Sequence, residues 1–312
     1  MMHSFRSKHA EFDGFSEYFA RDVRPILKDR DAVRQAAVRK GLIGAVLSTA
    51  VLLSVSSLII LYFDNPMFGI FLVGLAMMSG FVVFGASTNS IRKETKGRIV
   101  SSVVEYIGWT FDADVINYDI RPFAELFLIP NRIDRSSFED RLSGQAHGAQ
   151  FHAVEAHFER RTRDSKGKTR WSTIFRGQLM QIQFPTRTYG RTIVLREKGL
   201  FQRKKRGDMK RIGLADPVFE KIFEAYGTDQ VEGRVILDPA FMQRMVDLEA
   251  AVSGKNIRYG FDADTLFIAV ETRNQFEAGS MFSPLARPER TQAILDEVGA
   301  VFDIVDAMLA AA

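Results

Sequence analysis

The sequence predicts an α+β protein: an N-terminal amphipathic helix, a two-helix transmembrane hairpin, then a cytosolic domain of antiparallel β-hairpins and amphipathic helices. Three observations predict it. Residues 41–91 carry one charge, Asp64. Alternating apolar runs joined by turn residues follow, mixed with helices that open on Asp-Pro and without regular βα alternation. The chain has 312 residues, 46% of them apolar and 26% charged, which suffices for a real core and excludes a wholly disordered polymer. The domain limits that follow are 1–40, 41–88 and 89–312.

Phe12, Phe15, Phe19, Val23, Ile26 and Leu27 recur mostly at steps of three and four, one face of an amphipathic helix. Pro25 lacks an N–H and crowds the preceding turn, so it should kink that helix or start a second. Two readings stand side by side. The helix lies on a membrane surface or a partner, or it packs on the protein's own cytosolic domain.

Residues 41–63 form an apolar run of 23 and residues 67–88 one of 22, separated by Asp64-Asn65-Pro66. A bilayer core needs about 20 apolar residues per helix. The 13 Leu, Ile, Val and Phe of the first run favour insertion by about 4–8 kcal/mol in sum. The second run has ten such residues and leans on the first. Gly69, Gly74, Ala76, Gly80 and Gly85 offer it small surfaces for close approach. The first run begins too far in and is too long for a cleavable signal peptide. Arg34, Arg39 and Lys40 precede the hairpin and Arg92, Lys93, Lys96 and Arg98 follow it, while the connector has no basic residue. The positive-inside rule then puts both termini in the cytoplasm.

Residues 96–109 continue the second membrane helix. Residues 151–163 and 170–184 form a hairpin across Asp164-Ser165-Lys166-Gly167-Lys168, and 192–196 a further strand. Asp216-Pro217 opens a helix expected to reach Tyr226 and end at Gly227. Asp229 and Glu232 have capping-box spacing for a short helix. Asp238-Pro239 opens another to about Val252. Ile257, Tyr259 and Phe261, then Leu266, Ile268 and Val270, make a second hairpin around Asp262-Ala263-Asp264. Residues 288–309 form a long amphipathic helix.

These parts, in this order, resemble a bacterial family known only as domain of unknown function 3137. The most specific stretch is 225–245, from Ala225-Tyr226-Gly227 through Asp238-Pro239 to Met245. Phe175-Arg176-Gly177, Phe276-Glu277 and the N-terminal Phe15 with Pro25-Ile26-Leu27 add to it. Gly233 and Asp238 stand where the pattern has Ala and Thr. The resemblance implies a membrane-anchored bacterial protein with a cytosolic C-terminal domain, and with the hairpin the expected location is the inner membrane, multi-pass. It carries no activity, so no catalytic residue is transferred.

The search for chemistry excludes more than it finds. No cysteine means no disulfide, no thiol nucleophile and no Cys-ligated metal. Gly167-Lys168-Thr169 has Thr162 where a phosphate-binding loop needs glycine. His147, His152 and His157 are five apart and do not share a face. Glu155 and His157 share a strand face and offer two metal ligands where three are needed. Asp112 with Asp114, and Asp262 with Asp264, carry oxygens suited to Mg²⁺, but such residues also favour turns. No cofactor is expected.

Charge distribution is the remaining functional signal. Residues 89–211 hold 25 Lys+Arg and 14 Asp+Glu, and residues 212–312 hold 8 and 17. Arg203, Lys204, Lys205, Arg206, Lys210 and Arg211 face Asp208 alone, around the turn residue Gly207. They read as an exposed loop that binds anionic lipid or a protein partner. Alternatively the basic half pairs with the acidic half. Nucleic acid is the weakest reading, because only Tyr189 and Phe201 interleave with the charges of that region. The functional expectation is a membrane-anchored cytosolic binding or scaffolding protein; the alternative is a membrane-bound metal-dependent hydrolase using Asp, Glu and His.

Overall fold

The computed structural model describes residues 4–63, 66–163, 167–183, 190–196, 207–251, 256–272, 276 and 280–309. They fall into two compact units. One is Met1–Val103 with Phe276–Asp296, the other Val104–Gln275 with Glu297–Ala312.

The first unit begins with a 3₁₀ turn, Ala10–Phe12, then α1 (Phe15–Tyr18), a π-helical turn (Phe19–Val23) and α2 (Arg24–Phe63). Phe15, Phe19, Val23 and Leu27 are buried at steps of four. Each such step overruns an α-helix by about 40°. The wider i→i+5 turn, closed by the Arg24 N–H on the Phe19 carbonyl, absorbs part of the excess. Pro25, which has no N–H to give, sits where that turn ends, so the helix continues through the proline. The Phe5 ring closes over the stripe, 5.3 Å from Phe15 and 4.9 Å from Phe19 between centroids.

α3 (Pro66–Tyr106) returns antiparallel to α2. Thr49 Oγ1 donates to the Ala76 carbonyl at 3.2 Å and Ser56 Oγ to the Gly69 carbonyl at 2.8 Å. A Cβ on Gly80 would lie 3.0 Å from Thr49 Oγ1, and one on Gly44 2.8 Å from Val83 Cγ1. Gly69, fully buried Ala76 and Gly80 therefore do set the approach of the helices. Gly74 and Gly85 do not, because a Cβ on either would meet open space. Both helices run past the apolar stretch, and Arg30 of α2 pairs with Glu94 of α3 at 3.0 Å.

The second unit is built on β1 (Thr110–Asp112), α4 (Arg121–Glu125), β2 (Arg135–Ala146), β3 (Ala149–Arg163), β4 (Thr169–Gln183), β5 (Thr192–Arg196), β6 (Lys210–Ile212), α5 (Pro217–Ile222), β7 (Phe223–Gly227), α6 (Gln230–Ile236), α7 (Pro239–Ala251), β8 (Arg258–Asp262) and β9 (Thr265–Glu271). α8 (Pro288–Leu309) contributes to both units. The strands form one sheet in the order β1-β2-β3-β4-β9-β8-β5-β7-β6, antiparallel at every pairing. The α+β class and both hairpins stand as the sequence predicts. The helix opened by Asp216 ends earlier than expected, at Ile222, and residues 223–227 are a strand paired on both sides.

One face of the sheet buries Val154, Ala156, Phe158, Leu179, Ile193 and Phe267 under residues 115–133, including Phe123 and Leu126 beside α4. On the other, Phe241 of α7 stacks edge-on to Phe261 at 5.8 Å, and Trp109 lies between Phe151 and Phe302 of α8 at 4.6 and 5.5 Å. Gly177 lies at the close approach of β4 and β9. A Cβ there would overlap the Val270 carbonyl oxygen, which explains the glycine of Phe175-Arg176-Gly177.

Candidate functional site

The metal ligands considered from the sequence do not converge. His147 Nε2 meets Asp306 Oδ1 at 2.5 Å, His152 Nδ1 meets Ser143 Oγ at 3.0 Å, and His157 Nε2 meets Thr173 Oγ1 at 2.9 Å. Partial burial, and then the Arg141 charge, push the His152 pKa below its ordinary value. Glu155 is buried 3.9 Å from the Arg176 guanidinium. Asp112 pairs with Arg141 at 3.0 Å and its other oxygen caps the Asp114 N–H at 3.2 Å. Asp262 pairs with Arg191, and Ala263 between Asp262 and Asp264 takes a left-handed turn conformation at φ 53°. Among the described residues no group of three or more His, Cys, Asp or Glu could hold a metal.

The acidic N-caps are structural. Asp216 Oδ1 accepts from the Val218 and Phe219 N–H groups, and Asp229 Oδ1 from those of Val231 and Glu232. Glu232 lies in the first turn of α6. Its carboxylate accepts the Gly190 N–H at 2.8 Å and so ties α6 to the entry of β5.

The basic cluster divides. Arg203, Lys204, Lys205 and Arg206 lie outside the described residues. Gly207 and Asp208 form a turn, as expected. Lys210 and Arg211, however, are not loop residues. They belong to β6, the sheet's edge strand, pair with Gly227 and Tyr226, and are exposed. Cationic side chains on an edge strand also oppose edge-to-edge association. Elsewhere the basic and acidic halves do meet. β5 carries Arg191 to Asp262 at 3.3 Å and Arg196 to Glu249.

A polar clamp that sequence reading missed lies in the first unit, where α2 leaves the apolar run. Arg34, 6% exposed, donates to Asp31 Oδ1 at 2.7 Å and to the Met281 carbonyl at 2.6 Å. Asp31 also accepts the Leu285 N–H at 3.0 Å and Gln35 Nε2 at 2.9 Å. The Arg34 hydrogen bond, aided by Leu285 and Gln35 against the cost of burial, holds the Asp31 carboxyl down to about 2. Arg290 completes the clamp through the Ser280 and Ser283 carbonyls. Met281 and Leu285 are buried, while Phe282 between them is 63% exposed and stacks on Phe84 of α3, 5.3 Å between centroids and 4° between planes. A crevice lined by Leu27, Arg30, Ile91, Glu94 and Leu285 lies beside it.

Comparison with known proteins gives one distant structural alignment and a family match. The crystal structure of the mycobacterial trehalose monomycolate transport factor A, TtfA, aligns at a TM-score of 0.33 and 15% identity, over 69% of this chain and 96% of that one. No match was found among curated proteins. Residues 173–309, from β4 through α8, match the family model described as protein of unknown function (DUF3137), the family that the sequence resembles.

Proposed function

We propose that this chain is a membrane-anchored binding protein, with the α2–α3 hairpin crossing a bacterial inner membrane, both termini in the cytoplasm, and the sheet unit engaging anionic lipid or a protein partner. One observation carries the anchor. The hairpin is inside out relative to a soluble helix pair. Its large apolar side chains point outward, with Leu61 78% and Phe81 80% exposed, while Thr49, Ser56 and Ser79 bond backbone or side chains within the pair. Water disfavours such a surface and a bilayer selects it. Both helices are long and apolar enough to cross a membrane. Basic residues flank both outer ends, which supports the orientation.

The binding role rests on the cationic stretch from Arg203 to Arg211, including Lys204, Lys205, Arg206 and Lys210, with about 1 kcal/mol per residue close to anionic lipid. For a protein partner, Val231 and Val235 stand exposed one turn apart on α6, inside the family-matched region. Reporter fusions at Asn65 and at the C-terminus test the topology. A C-terminal fusion active only outside the cytoplasm refutes it. Full-length protein in nanodiscs, labelled at Gln202→Cys, tests the lipid reading. The label should approach the surface of anionic discs and withdraw in high salt. Equal behaviour in neutral discs removes the lipid and leaves the protein partner.

A further inference from the structure

We infer that the turn around Phe282 is a third membrane contact, inserting its phenyl ring among the acyl chains of the leaflet at which the hairpin's outer ends emerge. The inference rests on the bilayer reading of the hairpin and adds to it a point of attachment far away in sequence.

Depth is the first argument. Phe84 lies one helical turn inside the end of the second apolar run at Thr88. Across the hairpin it faces Gly41, the first residue of the other run, whose Cβ would sit 3.1 Å from Phe84 Cδ2. The ring of Phe282 lies flat against Phe84. It is therefore held level with the boundary of the apolar zone. An exposed phenylalanine there has no reason to face water.

Rigidity is the second. A loose loop could withdraw an exposed ring, but this turn is fixed from both sides. Arg34 holds the Met281 carbonyl, Asp31 the Leu285 N–H, and Arg290 the Ser280 and Ser283 carbonyls. Met281 and Leu285 anchor it inward, so Phe282 and Pro284 are left to project, the phenyl ring being the larger apolar surface.

The charges of the same turn are the third. Arg34 and Arg290 hold the backbone carbonyls on either side of Phe282. Asp31 offsets Arg34, Glu289 lies 3.6 Å from Arg287, and Arg290 adds a further positive charge. An exposed ring whose flanking backbone is held by cations suits the boundary between acyl chains and anionic headgroups.

The cysteine-free chain makes the test direct. Full-length single-cysteine proteins carrying a polarity-sensitive nitrobenzoxadiazole label at Phe282→Cys or at Met77→Cys, an exposed position midway along the second apolar run, are reconstituted in phosphatidylethanolamine–phosphatidylglycerol vesicles. Lipids bearing a doxyl quencher near the headgroup or at mid-chain report depth. The label at 282 should be quenched most by the shallow doxyl and that at 77 by the deep one. Quenching at 77 with none at 282 overturns this inference and leaves the hairpin reading intact. Quenching at neither sinks both. A label at Ser283→Cys retains the ring. There Phe282→Leu should preserve the quenching and Phe282→Asp should lose most of it; equal quenching in the two would show that the ring does not insert.

Discussion

Removing the Arg34 side chain should release the turn it holds. The guanidinium makes charge-assisted bonds to both Asp31 oxygens, at 2.7 and 3.2 Å, and one to the Met281 carbonyl. Deleting one partner of a fully buried pair costs about 3–5 kcal/mol. Asp31 retains Leu285 and Gln35 as donors, and its side chain is not wholly enclosed. The cost of Arg34→Ala is therefore nearer that of losing charged hydrogen bonds, about 2–3 kcal/mol. At 1.4 kcal/mol per decade, local opening should rise by about 30- to 140-fold. Hydrogen exchange read by mass spectrometry on the full chain in micelles should show that rise in peptides spanning 280–287, with β3 and β4 unchanged. Arg34→Lys should recover part of the protection, since it restores the charge without the planar fork. Unchanged exchange at 280–287, or an equal rise throughout the sheet, would refute the clamp.

Three further outcomes are expected. Asp31 titrates from an ordinary 3.8 unfolded to about 2 folded, so its stabilisation is complete above pH 3.8 and fades as pH falls toward 2. Discounted for solvent screening it amounts to about 1–2 kcal/mol, and a carboxyl carbon-13 midpoint near 3.8 in the folded chain would contradict it. Gly177→Ala forces a Cβ onto the Val270 carbonyl and should part β4 from β9, costing about 3 kcal/mol or more; a melting temperature within a degree or so of the parent would show that the strands yield. Gly144→Ala overlaps the Trp109 indole and should displace it from Phe151 and Phe302; in a Trp171→Phe background the emission should shift red, and an unshifted spectrum would count against the packing.

The elements legible in the sequence were those with strong local grammar. β8 and β9 alternate around an Asp-Ala-Asp turn, and Asp216, Asp229 and Asp238 each cap a helix. β2 was not legible because it is polar, with only three of its twelve residues buried, and a bulge between Glu139 and Leu142 breaks its period. β7 read as helix because Asp216-Pro217 opens one and the next stop signal is Gly227; Phe219, Phe223 and Tyr226, spaced by four and three, suit a helix face as well. Only its pairing with β5 and β6 decides for strand. Charge asymmetry was visible, but which arginine meets which carboxylate depends on strand order. The clamp was hidden for a plainer reason: Asp31 and Arg34 look like an ordinary surface pair one turn apart, and the turn that buries them lies some 250 residues downstream.

The π turn before Pro25 bears on which length changes the N-terminal segment can accept. Deleting one residue between Phe19 and Val23 would leave an ordinary α-helix, locally better bonded than the present one. The lost residue's rotation of about 100° would be largely offset as the wide turn tightens, so Phe15 would keep nearly its present side relative to Val23 and Leu27. A single-residue insertion farther along, between Leu27 and Gly41, has no such wide turn to absorb it and would rotate Arg34 away from Met281. Drift in length should therefore be tolerated at the π turn and selected against from Leu27 to the start of the apolar run, so that this stretch behaves as a phased ruler whose spacing matters more than its composition.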